Sequence, residues 1–182
     1  MTSRKAPIPN SYWVNDHLLA GEYPYDPYDP AGREQLVRLL EAGVRVFINL
    51  TEPGELDPYD DVLQEEAAAR GLTVEHVRMS IRDARVTTVR HMEEILDRID
   101  RHAQANRPTY VHCWGGVGRT GTVVGCHLVE RGHTGDEALA EVARLFATMS
   151  KEKVRHHPSS PETIEQKTMV RQWKNAGSRG AA

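Results

Sequence analysis

One stretch of the chain reads Val111-His112-Cys113-Trp114-Gly115-Gly116-Val117-Gly118-Arg119-Thr120-Gly121. It follows a short run of β-branched and aromatic residues, Pro108–His112, which predicts a buried strand. It leads into an apolar run of helical length, Thr120–Arg131. The glycines in between allow the backbone to turn sharply and leave room for close approach. The stretch therefore predicts a strand, a tight turn and a helix in direct succession.

Helical and strand-like segments alternate along the rest of the chain. The β-branched segment Val44–Leu50 predicts the strongest strand, and Thr73–Val77 predicts a shorter one. Apolar spacing and capping residues predict helices over 31–42, 57–70 (with Asp57 as N-cap), 134–149 and 161–174, and one from Thr88 past Ile99. We therefore expect an α/β fold, a central and mainly parallel sheet with helices on both faces. The glycine-rich turn would lie at the carboxyl edge of that sheet, where such folds bind ligands.

The length and the pattern indicate one domain. A chain of 182 residues has the usual size of a single domain. Residues 11–174 hold the predicted elements and form the predicted domain, while 1–10 and 175–182 lack periodicity and are expected to be terminal tails. The proline-rich segment Pro24–Pro30 predicts an irregular loop.

Composition excludes several classes of protein. With 23 basic and 26 acidic residues, and a net charge of -3, the chain lacks the basic surplus of a nucleic-acid binder. No apolar run approaches the roughly 20 residues that cross a bilayer, and the first residues lack the apolar core of a signal peptide. Two cysteines cannot form a disulfide framework, which suits a reducing compartment. We expect a cytoplasmic monomer that binds neither nucleic acid nor membranes.

The residue types in the turn suit the binding of a tetrahedral oxyanion. Backbone N–H groups of Trp114–Gly118 can converge on one centre, and the following helix adds the positive end of its dipole. Arg119 can hold two oxygens at once, which a lysine cannot. Cys113 lies at the base of this cradle (residues 113–119), where the same field favours a nucleophilic thiolate. We expect Thr120 to donate its hydroxyl to that sulfur and His112 to hold the loop through hydrogen bonds.

The same stretch resembles the signature His-Cys-x5-Arg-Ser/Thr of the cysteine-dependent protein tyrosine and dual-specificity phosphatases. The resemblance extends through the alternating elements from about residue 44 to about residue 174. The variant Cys-Trp-Gly-Gly-Val-Gly-Arg is most similar to compact dual-specificity enzymes of the cyclin-dependent kinase inhibitor-associated phosphatase type. The resemblance implies hydrolysis of phosphomonoesters in proteins, of phosphotyrosine first and phosphoserine or phosphothreonine second, through a phosphocysteine intermediate. It also implies that no metal and no cofactor takes part.

This family needs a general acid about thirty residues before the cysteine, because an alkoxide or phenolate leaves slowly unless it is protonated. Asp83 lies at that distance in Met79–Thr88, and its Ile-x-Asp spacing matches the family's. We expect Asp83 to donate that proton and later to accept one from water. Asp97 and Asp100 are the other upstream candidates, but the predicted helix prevents them from swinging over the site. Ser80 stands where the family often has proline. The resemblance therefore identifies the acid but does not extend to how this loop closes over the site.

A second catalytic element is predicted near the end of the chain. The segment Pro161–Gln166 resembles the glutamine-bearing helix start that positions the hydrolytic water in tyrosine phosphatases. The resemblance makes Gln166 a supporting candidate. Glu162 occupies the place where the more important glutamine usually stands, so either residue can be the one that positions the water.

Other features have two interpretations each. Trp114 either faces the substrate or packs behind the turn. The tyrosines of residues 23–28 belong either to a packed loop or to the wall of a substrate cleft. The basic stretch of residues 151–157 is interpreted as a solvated loop, or else as part of the rim. Cys126 is interpreted as a core residue of an apolar helix, with a redox partnership to Cys113 as the alternative.

Two other functions remain open from the sequence. The first is hydrolysis of a non-protein substrate such as a phosphoinositide or inositol phosphate, although such polyanions favour lysines in the cradle, which has none. The second is a phosphotyrosine-binding module with little turnover, although such modules typically lose the nucleophile or the acid. Phosphate release from an aryl phosphate and from phosphopeptides distinguishes these functions.

Overall fold

The structure is a computed structural model and describes residues 4–174. Within this range the strands are β1 (Ser11–Asn15), β2 (Leu18–Gly21), β3 (Val46–Asn49), β4 (Glu75–Arg78) and β5 (Thr109–His112). The helices are α1 (Ala31–Glu41), α2 (Asp60–Ala68), α3 (Val89–Gln104), α4 (Gly118–Glu130), α5 (Gly135–Phe146), α6 (Lys151–His156) and α7 (Ile164–Gln172). No helix in the described range is long and apolar enough to cross a membrane.

The strands form one sheet in the order β1-β2-β5-β3-β4. Strands β2, β5, β3 and β4 are parallel, and β1 pairs with β2 as an antiparallel edge strand. The carboxyl ends of the four parallel strands therefore meet at one edge. The mainly parallel sheet predicted from the sequence is confirmed.

Apolar layers cover both faces of the sheet, because successive side chains of a strand point to opposite sides. On one face, Ile48 and Val111 belong to a core that includes residues of α3, α4, α5 and α7. On the other face, Phe47 and Tyr110 pack with residues of α1 and α2. The expectation of helices on both faces is confirmed as well.

Several elements differ from the sequence prediction, among them α7, which was predicted from Pro161 but begins at Ile164 with Thr163 as N-cap. The hairpin of β1 and β2 was not predicted, and it adds two strands to the sheet. Helix α2 begins at Asp60 with Tyr59 as N-cap, so the prediction of Asp57 as N-cap is wrong and Asp57 remains in the preceding loop. Helix α6 forms where a solvated loop was predicted, with the Ser150 hydroxyl accepting a hydrogen bond from the backbone N–H of Lys153.

Residues 4–10 pack against the rest of the chain, although the sequence placed them in a terminal tail. Ile8 is 1% exposed and belongs to the apolar layer of α1 and α2. The Arg4 guanidinium lies 3.7 Å from the centre of the Trp13 ring. The expected N-terminal tail therefore contributes to the core over these residues, while the predicted tail 175–182 lies outside the described residues.

Candidate active site

The sheet register brings the candidate residues to one edge. At the ends of the strands, His112 pairs with Gly21 on one side and with Asn49 on the other, and Asn49 pairs with Arg78. The segments that follow these strands carry Cys113, the loop before α2 and the segment of Asp83. Residues far apart in sequence thus converge because parallel strands end together.

Cys113 lies at the base of the turn and is 3% exposed. The Thr120 hydroxyl donates to the Cys113 Sγ atom at 3.1 Å, as the sequence predicted. Among the backbone hydrogen bonds of turns, loops and helix caps in residues 4–174, none is donated by the N–H groups of residues 114–118. These N–H groups and the start of α4 are therefore free to bind an anion above the sulfur.

Two glycines of the cradle are required by packing. Gly116 has a φ of +72°, and a Cβ atom there would lie 2.5 Å from the backbone carbon of Gly21. A Cβ atom on Gly118 would lie 2.9 Å from the Gln166 side-chain nitrogen. The turn therefore lies packed between the end of β2 and the start of α7.

His112 supports the turn from below. Its Nδ1 atom lies 3.2 Å from the carbonyl oxygen of Cys113, and its Nε2 atom lies 2.6 Å from the Tyr59 hydroxyl. Burial lowers the pKa of His112 to about 3, so the ring is neutral at ordinary pH. A carbonyl only accepts, so Nδ1 carries the proton and Nε2 accepts from Tyr59. This arrangement places His112 in the supporting position predicted for it.

Arg119 is buried, and the edge of its guanidinium that carries Nη1 and Nη2 is already hydrogen-bonded. Its Nη1 and Nη2 atoms donate to the two carboxylate oxygens of Glu55 at 2.9 and 2.6 Å, and Nη1 also donates to the Ile81 carbonyl at 3.1 Å. Nη2 lies 3.0 Å from the nearer carboxylate oxygen of Asp83. The Nε atom is buried and has no hydrogen-bond partner within residues 4–174. A buried N–H group without an acceptor is unfavourable, so Nε is the natural donor to a bound oxyanion.

Glu55 is a site residue that the sequence analysis missed. Burial alone would raise its pKa, but hydrogen bonds from Arg119 and from the backbone N–H of Glu52 lower it overall. The carboxylate is therefore ionised near neutral pH and holds the Arg119 guanidinium in one orientation. Its only sequence signal is a carboxylate in the loop that follows β3, at the carboxyl edge of the sheet.

Asp83 lines the cleft, and the two helix carboxylates considered with it do not. Its side chain is 65% exposed, lines the cleft above Cys113 and is paired with Arg119. Asp97 and Asp100 lie on α3, outside the residues that line the cleft, and Asp100 is paired with Arg131. The roles of Cys113, Arg119 and Asp83 stay predictions, but the structure brings all three together.

Gln166 lies behind the cradle rather than in the cleft. Its side-chain oxygen accepts from the backbone N–H groups of Glu162 and Thr163 at 3.1 and 3.0 Å, which caps α7. Its side-chain nitrogen donates to the Arg85 carbonyl at 3.3 Å. Glu162, in contrast, lines the cleft. The structure therefore gives Gln166 a bracing position between α7 and the segment of Asp83.

A cleft of about 790 Å³ opens above Cys113. Trp114 is 59% exposed at its mouth and so faces the cleft rather than packing behind the turn. Tyr23, Tyr25 and Tyr28 line the cleft, and Tyr23 and Tyr25 also pack in the apolar layer of α1 and α2, so both interpretations of this loop apply. Lys153, from the basic stretch that forms α6, also lines the cleft.

Cys126 is fully buried on α4, and burial raises the pKa of its thiol, as fits a core residue.

We expect Arg119→Lys to lower kcat on p-nitrophenyl phosphate by about a hundredfold or more, since the charge stays but the planar pair of donors is lost. Steady-state phosphate release measures this effect. Arg131→Lys, at the far end of α4, is the matched control and should retain wild-type rates. A loss of only a few-fold in Arg119→Lys would limit Arg119 to organising the loop with Glu55.

The chain is similar to known proteins both in sequence and in fold. Residues 13–170 match the family described as "PTP-SAK: Swiss Army Knife protein, DSP-PTPase phosphatase domain". The phosphatidylglycerophosphate phosphatase PTPMT2 of Arabidopsis thaliana is 28% identical over 154 residues, which cover 84% of this chain and 60% of that protein. The chain thus spans less than two thirds of the length of this curated relative.

Several solved structures are similar in fold. The active form of Tk-PTP has a TM-score of 0.72 at 24% identity, over 91% of this chain and 97% of that one. Kinase associated phosphatase with its catalytic cysteine changed to serine has a TM-score of 0.70 at 18% identity, over 98% and 99%. The complex of P. aeruginosa TpbA with pTyr has a TM-score of 0.67 at 17% identity, over 98% and 93%. At these identities the likeness shows the fold.

Proposed function

Since the chain belongs to the DSP-PTPase phosphatase family, we propose that it hydrolyses phosphotyrosine in proteins, and phosphoserine or phosphothreonine less well. One observation carries this proposal. In the described range, the turn after Cys113 has backbone N–H groups without a carbonyl partner, and the Nε atom of buried Arg119, whose charge interacts with Cys113, has no partner either. A tetrahedral phosphoryl group fits that set of donors, and it places phosphorus next to the nucleophile.

The first chemical step transfers the phosphoryl group to the enzyme. The Cys113 thiolate attacks phosphorus, the S–P bond forms, and the ester P–O bond breaks. Asp83 gives its proton to the leaving oxygen, while Arg119 and the cradle N–H groups stabilise the three other oxygens.

The second step returns the enzyme to its starting state. A water molecule attacks phosphorus and gives a proton to Asp83, the S–P bond breaks, and the Cys113 thiolate and inorganic phosphate are released. Thr120, 3.1 Å from the sulfur, stabilises the departing thiolate by its hydrogen bond. No residue in this cycle needs a metal ion, and no group of His, Cys, Asp and Glu side chains in residues 4–174 is arranged to hold one.

The shape of the cleft supports an aryl phosphate. Cys113 and Arg119 are both buried, at 3% and 2% exposure. The phosphoryl group of a substrate must therefore enter the cleft to reach them. Trp114 and Tyr28 are exposed at the mouth, with 59% and 87% exposure, where they can contact the ring of phosphotyrosine. A long, flat side chain is suited to this depth.

A second candidate substrate is a phospholipid with a terminal phosphate. It is favoured by one observation, the name of the 28% identical Arabidopsis protein, a phosphatidylglycerophosphate phosphatase.

The cytoplasmic location and the monomeric state expected from the sequence stay predictions and form part of the proposed function.

We expect phosphate release from a phosphotyrosine peptide, inhibition by vanadate, which mimics the pentacoordinate phosphorus, and no inhibition by EDTA. The same assay with phosphatidylglycerophosphate in detergent micelles gives the comparison of kcat/KM. A larger kcat/KM for the lipid than for the peptide would contradict the protein substrate and favour the lipid. Loss of activity with EDTA would contradict the metal-free mechanism.

A further inference from the structure

The rim of the cleft is acidic although its floor binds an anion. Arg119 and Lys153 are the lysine or arginine side chains that line it, whereas the lining carboxylates number five: Glu22, Asp26, Asp57, Asp83 and Glu162. On the floor, the charge of Arg119 is already matched by Glu55 at 2.6 Å and Asp83 at 3.0 Å. A substrate therefore meets negative potential as soon as its parts lie above the phosphate.

Three of the rim carboxylates have a cationic or ionisable neighbour. Glu22 lies 2.8 Å from Lys153, Asp83 is paired with Arg119, and Glu162 lies 3.6 Å from His157. Lys153 is thus already engaged and is not free to attract a second anionic group. Its partner Glu22 also accepts a hydrogen bond from the Asn10 side chain at 3.0 Å, which holds this pair in place.

The other two rim carboxylates form an acidic wall, Asp26 and Asp57. Both are exposed, and neither lies in an ion pair within residues 4–174. Tyr23 links their loops, since it lies three residues before Asp26 and its hydroxyl donates to the Asp57 carbonyl at 2.7 Å. The wall therefore belongs to a fixed surface and not to two independent loops.

Nearby arginines do not reverse this charge. Arg82 and Arg85 flank Asp83 in sequence and are exposed, but they lie outside the residues that line the cleft. The carbonyl of Arg85 is bonded to Gln166, which holds the backbone of that segment behind the cradle. Arg78 interacts with Tyr23, but its Nη1 atom donates to the carbonyls of Thr51 and Glu52, and no ion pair within residues 4–174 neutralises Asp26 or Asp57.

On the premise of the phosphatase function proposed above, we propose that the acidic wall selects phosphopeptides with lysine or arginine beside the phosphorylated residue. Opposite charges across a partly exposed rim increase both encounter rate and binding, and like charges reduce them. A substrate that carries a second phosphate beside the first, such as phosphatidylglycerophosphate or a phosphoinositide, meets repulsion at the same place. Cys113 and Arg119 bind the phosphoryl group, and the acidic wall selects the residues that flank it.

Three peptides test this proposal, each with one phosphotyrosine flanked on both sides by Lys, Ser or Glu. We expect kcat/KM in the order Lys, Ser, Glu, with a Lys-to-Glu ratio of about tenfold or more at about 30 mM salt. At about 500 mM salt the ratio should fall below about threefold, because exposed charges are screened. The double variant Asp26→Asn/Asp57→Asn should lower the low-salt ratio by about threefold or more.

The control is Asp97→Asn, an exposed carboxylate of α3 outside the cleft, which should keep the wild-type ratio. Equal hydrolysis of the three peptides, or an unchanged ratio in the double variant, would overturn the acidic wall and leave the phosphatase function intact. Failure of all three peptides, together with hydrolysis of phosphatidylglycerophosphate, would overturn the protein substrate and the selection together.

Discussion

Cys113→Ser should abolish turnover while leaving phosphotyrosine binding intact. The serine hydroxyl is a far weaker nucleophile at neutral pH, so kcat should fall by about 10⁴-fold or more. The binding groups stay, because the cradle N–H groups, Arg119 and its partner Glu55 do not involve the sulfur. Phosphate release measures the loss, and fluorescence anisotropy with a labelled phosphotyrosine peptide measures the retained binding.

Cys126→Ala is the matched control for this experiment. Cys126 is fully buried on α4, so its loss should cost some stability, about 1 kcal/mol, but should leave kcat near the wild-type value. Full turnover in Cys113→Ser would contradict the phosphocysteine mechanism. A loss of turnover in the folded Cys126→Ala protein would instead give the second cysteine the part in catalysis that we assign to the first.

The strand–turn–helix unit was predictable because its determinants are local. The apolar strand before Cys113 and the glycines after it constrain the chain within a dozen residues. Thr120 and His112 were found from the same stretch, since each acts on a neighbour in sequence. Asp83 was predicted from the family resemblance, which places a general acid about thirty residues before the cysteine, and the pairing of β4 with β3 brings its segment to the same edge of the sheet.

Glu55 shows why part of the site was missed. It lies 64 residues before Arg119, in a loop with no periodic pattern, and only the pairing of β3 with β5 brings the two together. The hairpin of β1 and β2 was missed for a related reason. Its strands are only five and four residues long, and the burial of β2 depends on its pairing with β5. A single sequence contains neither of these pairings directly.

Helix starts were predicted less well than helices. Asp57-Pro58 has the residue types of an N-cap and first turn, yet α2 begins at Asp60. The Asp57 carbonyl is engaged by the Tyr23 hydroxyl, which fixes this segment as a loop at the cleft. The tertiary contact outweighs the local preference, and it places a carboxylate on the rim instead of at a helix cap.

Asp83→Asn should slow the hydrolysis of phenyl phosphate by about 10²–10⁴-fold and that of an aryl phosphate with a good leaving group far less. The reason is that only the poor leaving group needs a proton as the P–O bond breaks. We therefore expect the ratio of kcat on an aryl phosphate with a good leaving group to kcat on phenyl phosphate to rise by about 10²-fold or more in Asp83→Asn.

The structure also supplies the rivals that this experiment must exclude. Asp57 and Glu162 line the same cleft as Asp83, but neither is paired with Arg119, so Asp57→Asn and Glu162→Gln should keep the wild-type ratio of the two rates. Asp97→Asn is a cleaner distant control than Asp100→Asn, because Asp100 is paired with Arg131 and its loss would also disturb α4. If Asp83→Asn keeps the wild-type ratio of the two rates and one of the cleft variants changes it, the general acid is that residue. Asp83 would then serve only as an ion-pair partner of Arg119.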